Sequence, residues 1–202
     1  MIRIDLHVHT VYSGDSNISP KMLIEQLNLN PVVKAVAITD HDTIEGYRQV
    51  KRFARAYEGL LVIPGIEVST FEGHINVLGV EEMPKYPLSA LELVDFAREM
   101  QAVIIIPHPY RVCGLGDYAR KLDADAIEIL NYRATKAENR LAEKLAKELN
   151  LPGVAGTDAH RPNQLFQVYT EVNINMDADV DSVLKAIKNG EVRIGSLKGY
   201  YT

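Results

Sequence analysis

Short apolar runs alternate with amphipathic stretches along the whole chain. The apolar runs are rich in valine and isoleucine, which is typical of buried strands in a parallel sheet. We predict strands at residues 3–8, 35–39, 60–66, 75–79, 103–106, 126–130, 154–156 and 168–173, with a short late strand at 192–194.

The amphipathic stretches between these runs carry signals for helix starts and ends. Ser89 with Glu92 is typical of a capping box, and the stretch beginning at Thr135 opens in the same way. Ser19 and Pro20 fit the N-cap and the first position of another helix. We predict helices at residues 19–27, 42–57, 89–100, 135–149 and 179–188.

The alternation of strands and helices predicts an α/β fold built on a parallel sheet. An eight-stranded (β/α) barrel typically needs about 250 residues, and this chain has 202. We therefore expect a reduced or distorted barrel that forms one domain over residues 1–202. An open doubly wound sheet is the alternative.

The composition narrows the classes of function. Hydrophobic residues make up 47% of the chain and charged residues 24%, as in ordinary globular proteins. The net charge of -5 argues against a general nucleic-acid binder. It leaves a phosphorylated substrate open, because bound metal ions can supply positive charge. The single cysteine and the missing signal-peptide pattern predict a cytoplasmic protein without a membrane span.

Histidines and carboxylates collect where the predicted strands end. Five of the six histidines follow the end of an apolar run, and the sixth comes shortly after one. The histidines are His7, His9, His41, His74, His108 and His160, and the carboxylates are Asp15, Asp40, Glu67 and Asp158. In (β/α) barrels the loops after the strands build the catalytic face. This pattern therefore predicts one shared site.

The first strand shows why a metal suits this site. Side chains alternate along a strand, so Asp5, His7 and His9 share one face with Arg3. A polar face on a buried strand is costly unless it has partners. One ion would bind both His7 and His9, and Asp5 could orient a ligand from behind.

The ligand set contains imidazoles and carboxylates but no thiolate. Such a set suits Zn, Mn or Fe. The groups are too many for one ion, so we expect two or three divalent ions with Glu67 as the bridge. Asp15 could instead cap a turn with Gly14. Asp40 could be a neighbour of a ligand, a general acid or a structural hydrogen-bonding group.

Five separated motifs resemble those of the PHP (polymerase and histidinol phosphatase) family, in the same order along nearly the whole chain. They are His7-Val8-His9, Thr39-Asp40-His41, Gly65-Ile66-Glu67, His108-Pro109 and Asp158-Ala159-His160. The resemblance implies a distorted seven-stranded (β/α) barrel with a trinuclear metal centre. The short segment between His108 and Ile127 leaves no room for the helical domain that some branches of the family insert there.

The resemblance also implies a distribution of ligands among three ions. The first ion would be held by His7, His9, Glu67 and Asp158, the second by Glu67, His74 and His108, and the third by Asp15, His41 and His160. Related phosphatases bind the substrate phosphate with arginines. Arg111 and Arg133 follow strand ends, and a guanidinium group can bind phosphate through two hydrogen bonds.

We therefore expect a metal-dependent phosphatase acting on a small phosphate monoester such as a nucleotide. A hydroxide that bridges two ions would attack phosphorus, and Asp40 or a water on the third ion would protonate the leaving group. Glu67, Arg111 and Arg133 would complete the reacting site. The alternatives are a phosphodiesterase or exonuclease on short oligonucleotides, a C–N amidohydrolase, and a metal-binding module without turnover. The sequence does not determine the oligomeric state.

Overall fold

The computed structural model describes residues 1–85, 88–175 and 178–197. The α-helices are α1 Pro20–Leu29, α2 Glu45–Ala54, α3 Ala90–Glu99, α4 Lys136–Leu149 and α5 Val180–Lys188. The strands are β1 Ile2–Val8, β2 Ala35–Ile38, β3 Leu61–Ile63, β4 Gly65–Ser69, β5 His74–Leu78, β6 Val103–Ile106, β7 Ala126–Asn131, β8 Gly153–Gly156, β9 Val168–Val172 and β10 Val192–Ser196. Short 3-10 helices lie at Val11–Ser13, Gly116–Lys121 and Pro162–Gln164.

The helix starts follow the capping signals of the sequence. The Ser19 side chain accepts a hydrogen bond from the Met22 amide at the start of α1. Complete capping boxes open α3 at Ser89 and α4 at Thr135. The Asp179 side chain caps α5. These bonds satisfy amide groups that the first turn of a helix leaves without partners.

Helix α2 is shorter than the 42–57 that the sequence predicts. Asp42 has a left-handed backbone with φ 53°, and its amide donates to the Glu67 carbonyl at 3.0 Å. Its side chain accepts from the Ser69 amide at 2.8 Å. These bonds connect Asp42 to β4, so the helix begins only at Glu45.

The strands form two mixed sheets of five strands each. One has the order β10-β9-β1-β2-β3 and the other β4-β5-β6-β7-β8. Strand β9 runs antiparallel to both β1 and β10, and β5 runs antiparallel to both β4 and β6. The α/β class is confirmed, whereas the expectation of an all-parallel sheet is wrong. Among the described residues the pairings give these two sheets and do not show the expected closed seven-stranded barrel.

Two isolated bridges connect the sheets at the ends of their strands. Val8 pairs with Ala159, and His41 pairs with Glu67. The Asp158 amide donates to the His7 carbonyl at 2.7 Å, next to the first bridge. The bridges therefore bring residues of both sheets, including four of the predicted ligands, to one place.

The predicted strand at 60–66 is divided by Pro64 between the two sheets. Strand β3 ends at Ile63 in the first sheet, and β4 begins at Gly65 in the second. Proline has no amide hydrogen, so it cannot donate to a strand ladder. The turn at Pro64 lets consecutive residues of one apolar run change sheets.

The core lies on both sides of the sheets. Helices α3 and α4 pack against β4–β7 in one apolar cluster, and α1 and α2 pack against β1 and β2 in another. Helix α5 contacts β3, β6 and β9, and its apolar residues share a third cluster with Ile2, Ala35, Val103 and Ala126. None of the helices in the described part of the chain is long and apolar enough to cross a lipid bilayer.

Candidate metal centre

The histidine rings converge at the carboxyl ends of the strands. Neighbouring ring centroids lie between 4.2 Å, for His9 and His160, and 5.9 Å, for His74 and His108. The cluster contains His7, His9, His41, His74, His108 and His160, which are all the histidines of the chain. Four overlapping groups of three ligand atoms lie close enough together to hold an ion.

Glu67 lies at the centre of the cluster and is fully buried. It is the third residue of β4, and both carboxylate oxygens contact imidazole nitrogens. Oε2 lies 3.3 Å from His7 Nε2, 3.2 Å from His9 Nε2 and 3.1 Å from His41 Nδ1, and Oε1 lies 3.1 Å from His74 Nδ1 and 3.0 Å from His108 Nε2. The position fits the bridging role expected from the sequence.

Three buried atoms of the cluster have no hydrogen-bond partner among the described residues. They are Glu67 Oε2, His41 Nδ1 and His108 Nδ1. Leaving a buried polar atom without a partner costs about 1–3 kcal/mol. A shared cation would satisfy the lone pairs of Glu67 and His41, and the nitrogen and oxygen donors suit Zn, Mn or Fe. The residues therefore fit a metal centre.

Asp158 follows β8 and approaches the cluster from the second sheet. Its Oδ1 lies 3.3 Å from His9 Nε2 and 3.8 Å from His7 Nε2. Its backbone has φ 53°, a conformation that is uncommon outside glycine. The hydrogen bond from the Asp158 amide to the His7 carbonyl maintains this conformation. Strained backbone of this kind is frequent at functional sites.

Asp15 reaches the cluster from the loop after β1. Its Oδ2 lies 3.0 Å from His160 Nε2 and 3.7 Å from His41 Nε2. The side chain is 55% exposed, whereas that of Glu67 is 1% exposed. The structure thus brings Asp15 together with the two histidines that the family resemblance pairs with it, at the solvent side of the cluster.

The charges in the cluster change the pKa values of its members. Burial opposes protonation of His7, but the negative charges of Glu128, Glu67 and Asp158 outweigh it and raise its pKa well above the ordinary value. For His9 the same competition raises the pKa to about 9. Burial lowers the pKa of His41 to about 4.

The pKa values of the Glu67 and Asp158 carboxyl groups shift in the opposite sense. Burial would raise the pKa of Glu67, but the charge of His7 and the hydrogen bonds from His108 and His74 lower it well below the ordinary value. The pKa of Asp158 is likewise low, because His7 and His9 outweigh its burial. The site favours anionic carboxylates, as metal binding requires.

Asp40 points away from the histidine cluster. Its carboxylate accepts from the Thr10 amide at 2.5 Å, from Thr10 Oγ1 at 2.8 Å and from Ser13 Oγ at 2.8 Å. Ser13 Oγ in turn lies 2.9 Å from His9 Nδ1. Asp40 therefore contacts the cluster through Ser13, and its role as a proton donor stays a prediction.

Gly46 is the reason that α2 can approach Asp40 so closely. A Cβ atom at this position would lie 1.7 Å from Asp40 Oδ2 and 2.5 Å from Thr10 Oγ1. Any larger residue at the start of α2 would therefore displace the carboxylate that supports Ser13.

Asp5 does not have the role that the sequence predicts for it. The fully buried carboxylate accepts from the Thr157 amide at 2.9 Å, from Thr157 Oγ1 at 2.6 Å and from the Phe166 amide at 3.3 Å. Its contact with His7 is to the backbone amide, at 3.4 Å. Asp5 therefore connects β1 to the segments after β8 instead of orienting an imidazole ring.

Glu128 is a buried member of the site that the sequence analysis does not identify. Its Oε1 lies 3.1 Å from His7 Nδ1, and its Oε2 accepts from the His108 amide at 2.9 Å. Glu128 could have been predicted as a site residue, because a charged residue inside an apolar strand needs a buried partner. The same reasoning pointed to His7 on β1.

A cavity of about 230 Å³ opens onto the cluster. Arg111 and Arg133 line it together with the ligand side chains, and both contact the Asp158 carboxylate. Arg133 Nη1 also lies 2.7 Å from His160 Nδ1. The lining residues are Asp15, His41, Glu67, His74, His108, Arg111, Val112, Cys113, Arg133, Asp158 and His160. The two arginines thus lie beside the candidate ligands, and their binding of phosphate stays a prediction.

Comparison with known families supports this geometry. The family model of the PHP domain matches residues 5–126, and a second model, described as PHP-associated, matches residues 136–192. The chain belongs to the PHP family. The first match contains His7, His9, Glu67 and His108, and the resemblance expected from the motifs is confirmed.

Two relatives come from Methanocaldococcus jannaschii, and both are uncharacterised proteins. One is 37% identical over 162 residues, which cover 73% of this chain and 94% of the relative. The other is 27% identical over 193 residues, which cover 89% of this chain and 75% of the relative. The identity of the first relative supports membership of the same family.

Solved structures share the fold at low sequence identity. A two-domain protein from Bacteroides vulgatus, described as containing a PHP-like metal-dependent phosphoesterase, has a TM-score of 0.80 and 17% identity. The likeness covers 96% of this chain and 64% of that protein. An amidohydrolase from Chromobacterium violaceum with bound sulfate has a TM-score of 0.68 and 16% identity, covering 98% of this chain and 99% of that one.

Proposed function

We propose that the protein is a metal-dependent phosphoesterase that hydrolyses a small phosphate monoester. The observation that carries this proposal is the presence of two guanidinium groups, Arg111 and Arg133, in the same cavity as the histidine and carboxylate cluster. The same cavity is thus lined by side chains that can bind cations and by side chains that can donate hydrogen bonds to an anion. This combination suits a substrate with a phosphate group.

The ligands would hold two or three divalent ions, of Mn, Zn or Fe. His7, His9, Glu67 and Asp158 form one candidate group, and Glu67, His74 and His108 form a second. His41, His160 and Asp15 form a third. When bound, such ions make water a nucleophile near neutral pH and offset the charge of a phosphoryl group.

The arginines would orient the phosphate group of the substrate. Each side chain is partly exposed at the cavity, 22% for Arg111 and 32% for Arg133. Guanidinium groups bind phosphate oxygens through paired hydrogen bonds that a lysine cannot reproduce. Donors fixed before the reaction also stabilise the charge of its transition state. We assign this role to Arg111 and Arg133 together.

The volume of the cavity favours a small substrate. The cavity is about 230 Å³ in volume, below the range typical of sites that enclose drug-sized ligands. None of the described residues that line the cavity is a lysine. A lysine bridge of the kind common in C–N hydrolases therefore has no counterpart there, and Glu67 occupies the central position. Both points favour phosphate chemistry over C–N hydrolysis.

The test is a count of bound metal per chain followed by a hydrolysis panel. The panel contains phosphate monoesters, diesters, nucleotides and a set of cyclic and acyclic amides, each with added Mn²⁺. We expect phosphate release from one or more monoesters that stops with a chelator and returns with Mn²⁺. Hydrolysis of only the diesters or the amides, detected by their own products, would reject the monoesterase. Two or three bound metals with no hydrolysis would favour a binding module.

A further inference from the structure

His7 has both ring nitrogens in contact with carboxylates. Its Nε2 lies 3.3 Å from Glu67 Oε2 and 3.8 Å from Asp158 Oδ1, in the candidate metal centre. Its Nδ1 lies 3.1 Å from Glu128 Oε1, on the opposite side of the ring. The ring is fully buried, so water does not compete for either nitrogen.

The two oxygens of Glu128 have separate partners. Oε2 accepts from the His108 amide at 2.9 Å and from Asn131 Nδ2 at 3.0 Å. Oε1 is left for His7 Nδ1. An ionised carboxylate only accepts hydrogen bonds, so the proton of this contact belongs to Nδ1. In the neutral ring, the form that binds a metal, Nε2 then carries the lone pair, on the side of Glu67.

We propose that Glu128 is a positioning residue that fixes His7 in its metal-binding tautomer. It accepts the Nδ1 proton and so directs the Nε2 lone pair toward Glu67 and Asp158. Such outer carboxylates orient histidine ligands and make them better donors. This inference rests on the metal-binding part of the proposed function and deepens it, because it adds a residue outside the ligand set.

The local packing is adapted to the contact between Glu128 and His7. A Cβ atom on Gly156 would lie 2.4 Å from His7 Cβ and 2.5 Å from Glu128 Oε1. Strand β8 can pass this close to both side chains only with glycine at that position. The β7–β8 register is also irregular between Glu128 and Leu130. The backbone thus accommodates this pair specifically.

Glu128 also connects His7 to other members of the site. The His108 amide that it binds belongs to a residue with φ 26°, an uncommon backbone conformation outside glycine. Asn131 Nδ2 lies 3.4 Å from Asp158 Oδ2 as well as 3.0 Å from Glu128. One carboxylate therefore supports the ring of one candidate ligand and the backbone of a second.

His9 lacks a direct partner of this kind. Its Nδ1 lies 2.9 Å from Ser13 Oγ, and the serine hydroxyl donates to Asp40. Because its one hydrogen goes to Asp40, the hydroxyl accepts from His9 Nδ1, and a neutral oxygen is a weaker acceptor than a carboxylate. Glu128 therefore fixes the tautomer of His7 more strongly than Ser13 fixes that of His9.

The change Glu128→Gln tests this with almost no change of shape. The donors from His108 and Asn131 would select the amide oxygen, which leaves the amide NH₂ facing His7 Nδ1. That contact stabilises the tautomer with its proton on Nε2, where it blocks the lone pair. We expect the variant to bind zinc about 10- to 100-fold more weakly at its tightest site.

The measurement is a Zn²⁺ titration of chelator-treated protein against a competing indicator. Glu171→Gln is the matched control, because Glu171, on β9, pairs with Arg3 instead of with a member of the cluster. We expect Glu171→Gln to stay within about twofold of the wild type. Equal zinc affinity in Glu128→Gln and the wild type would overturn the positioning role and leave the proposed function standing. A wild-type protein that binds neither Zn²⁺ nor Mn²⁺ would overturn both.

A second readout needs no variant and reports the tautomer directly. Long-range ¹H–¹⁵N spectra of the zinc-loaded wild type should show the proton of His7 on Nδ1, in a hydrogen bond, and zinc on Nε2. A His7 ring with zinc on Nδ1, or without a hydrogen-bonded Nδ1 proton, would reject the proposal even if Glu128→Gln fails to fold.

Discussion

Glu67 Oε2 and His41 Nδ1 lie 3.1 Å apart in the interior of the site, yet no hydrogen bond connects them. Glu67 lies on β4 of one sheet, and His41 follows β2 of the other. A backbone bridge between these two residues joins the sheets. Two lone pairs at this distance repel each other unless a proton or a cation lies between them. The same two residues therefore join the sheets through their backbones and meet in the candidate metal centre through their side chains.

Glu67→Gln should remove metal as well as activity. The amide keeps the shape of the side chain but loses the negative charge that five histidines share. We expect at least one metal ion fewer per chain and a fall in turnover of about 10³-fold or more. Metal analysis and phosphate release measure both, with the exposed Glu143→Gln as control. Full metal content with full turnover would reject the bridging role.

Arg111→Ala and Arg133→Ala should weaken substrate binding while the metal content stays unchanged. Each guanidinium lines the cavity, and hydrogen bonds to charged groups contribute about 1.5–3 kcal/mol. We therefore expect kcat/KM to fall about 10- to 100-fold in each variant. Steady-state kinetics with the best substrate of the panel provide the measurement, and Arg52→Ala on the outer side of α2 is the control. Unchanged kinetics in both variants would remove the arginines from the substrate site.

Asp15→Ala should weaken one metal position and spare the others. Asp15 is the most exposed candidate ligand and contacts only His160 and His41 within the cluster. We expect the affinity of the weakest metal-binding step to fall about tenfold or more, because the site loses one negatively charged ligand. Titration with Mn²⁺ separates the steps, and the exposed Asp181→Ala on α5 is the control. A uniform loss at every step would show instead that Asp15 supports the whole loop.

The convergence of the candidate ligands was predictable because the histidines and carboxylates of the sequence follow the ends of predicted strands. A buried strand with His7 and His9 on one face needs a partner such as a metal. The ends of neighbouring strands meet, so residues distant in sequence such as His108 and His160 come together. The register that places Glu67 between five rings was not predictable, since it depends on the pairing of β4 with β5.

The antiparallel pairing of β4 and β5 could have been predicted from the short connection between them, although the apolar pattern alone indicated parallel strands. Only residues 70–73 connect Ser69 to His74, and a parallel crossover needs about a dozen residues or more. Thr70 and Gly73 close this turn through hydrogen bonds. The change of sheet at Pro64 is different in kind. Proline marks a break in a strand, but only tertiary packing decides which sheet the next strand joins.

The buried Asp5 should make stability fall with rising pH between about 4 and 7. Burial raises the pKa of its carboxyl group from 3.8 to about 7. In that window the unfolded chain has lost this proton while the folded chain keeps it, so unfolding is favoured as pH rises. Asp5→Asn removes the effect. Urea unfolding with a chelator present should show the wild type losing stability relative to Asp5→Asn by up to about 1.4 kcal/mol per pH unit, with no further change above pH 7. A wild type that gains relative stability with pH would mean that the donors from Thr157, Phe166 and His7 outweigh burial and keep Asp5 ionised.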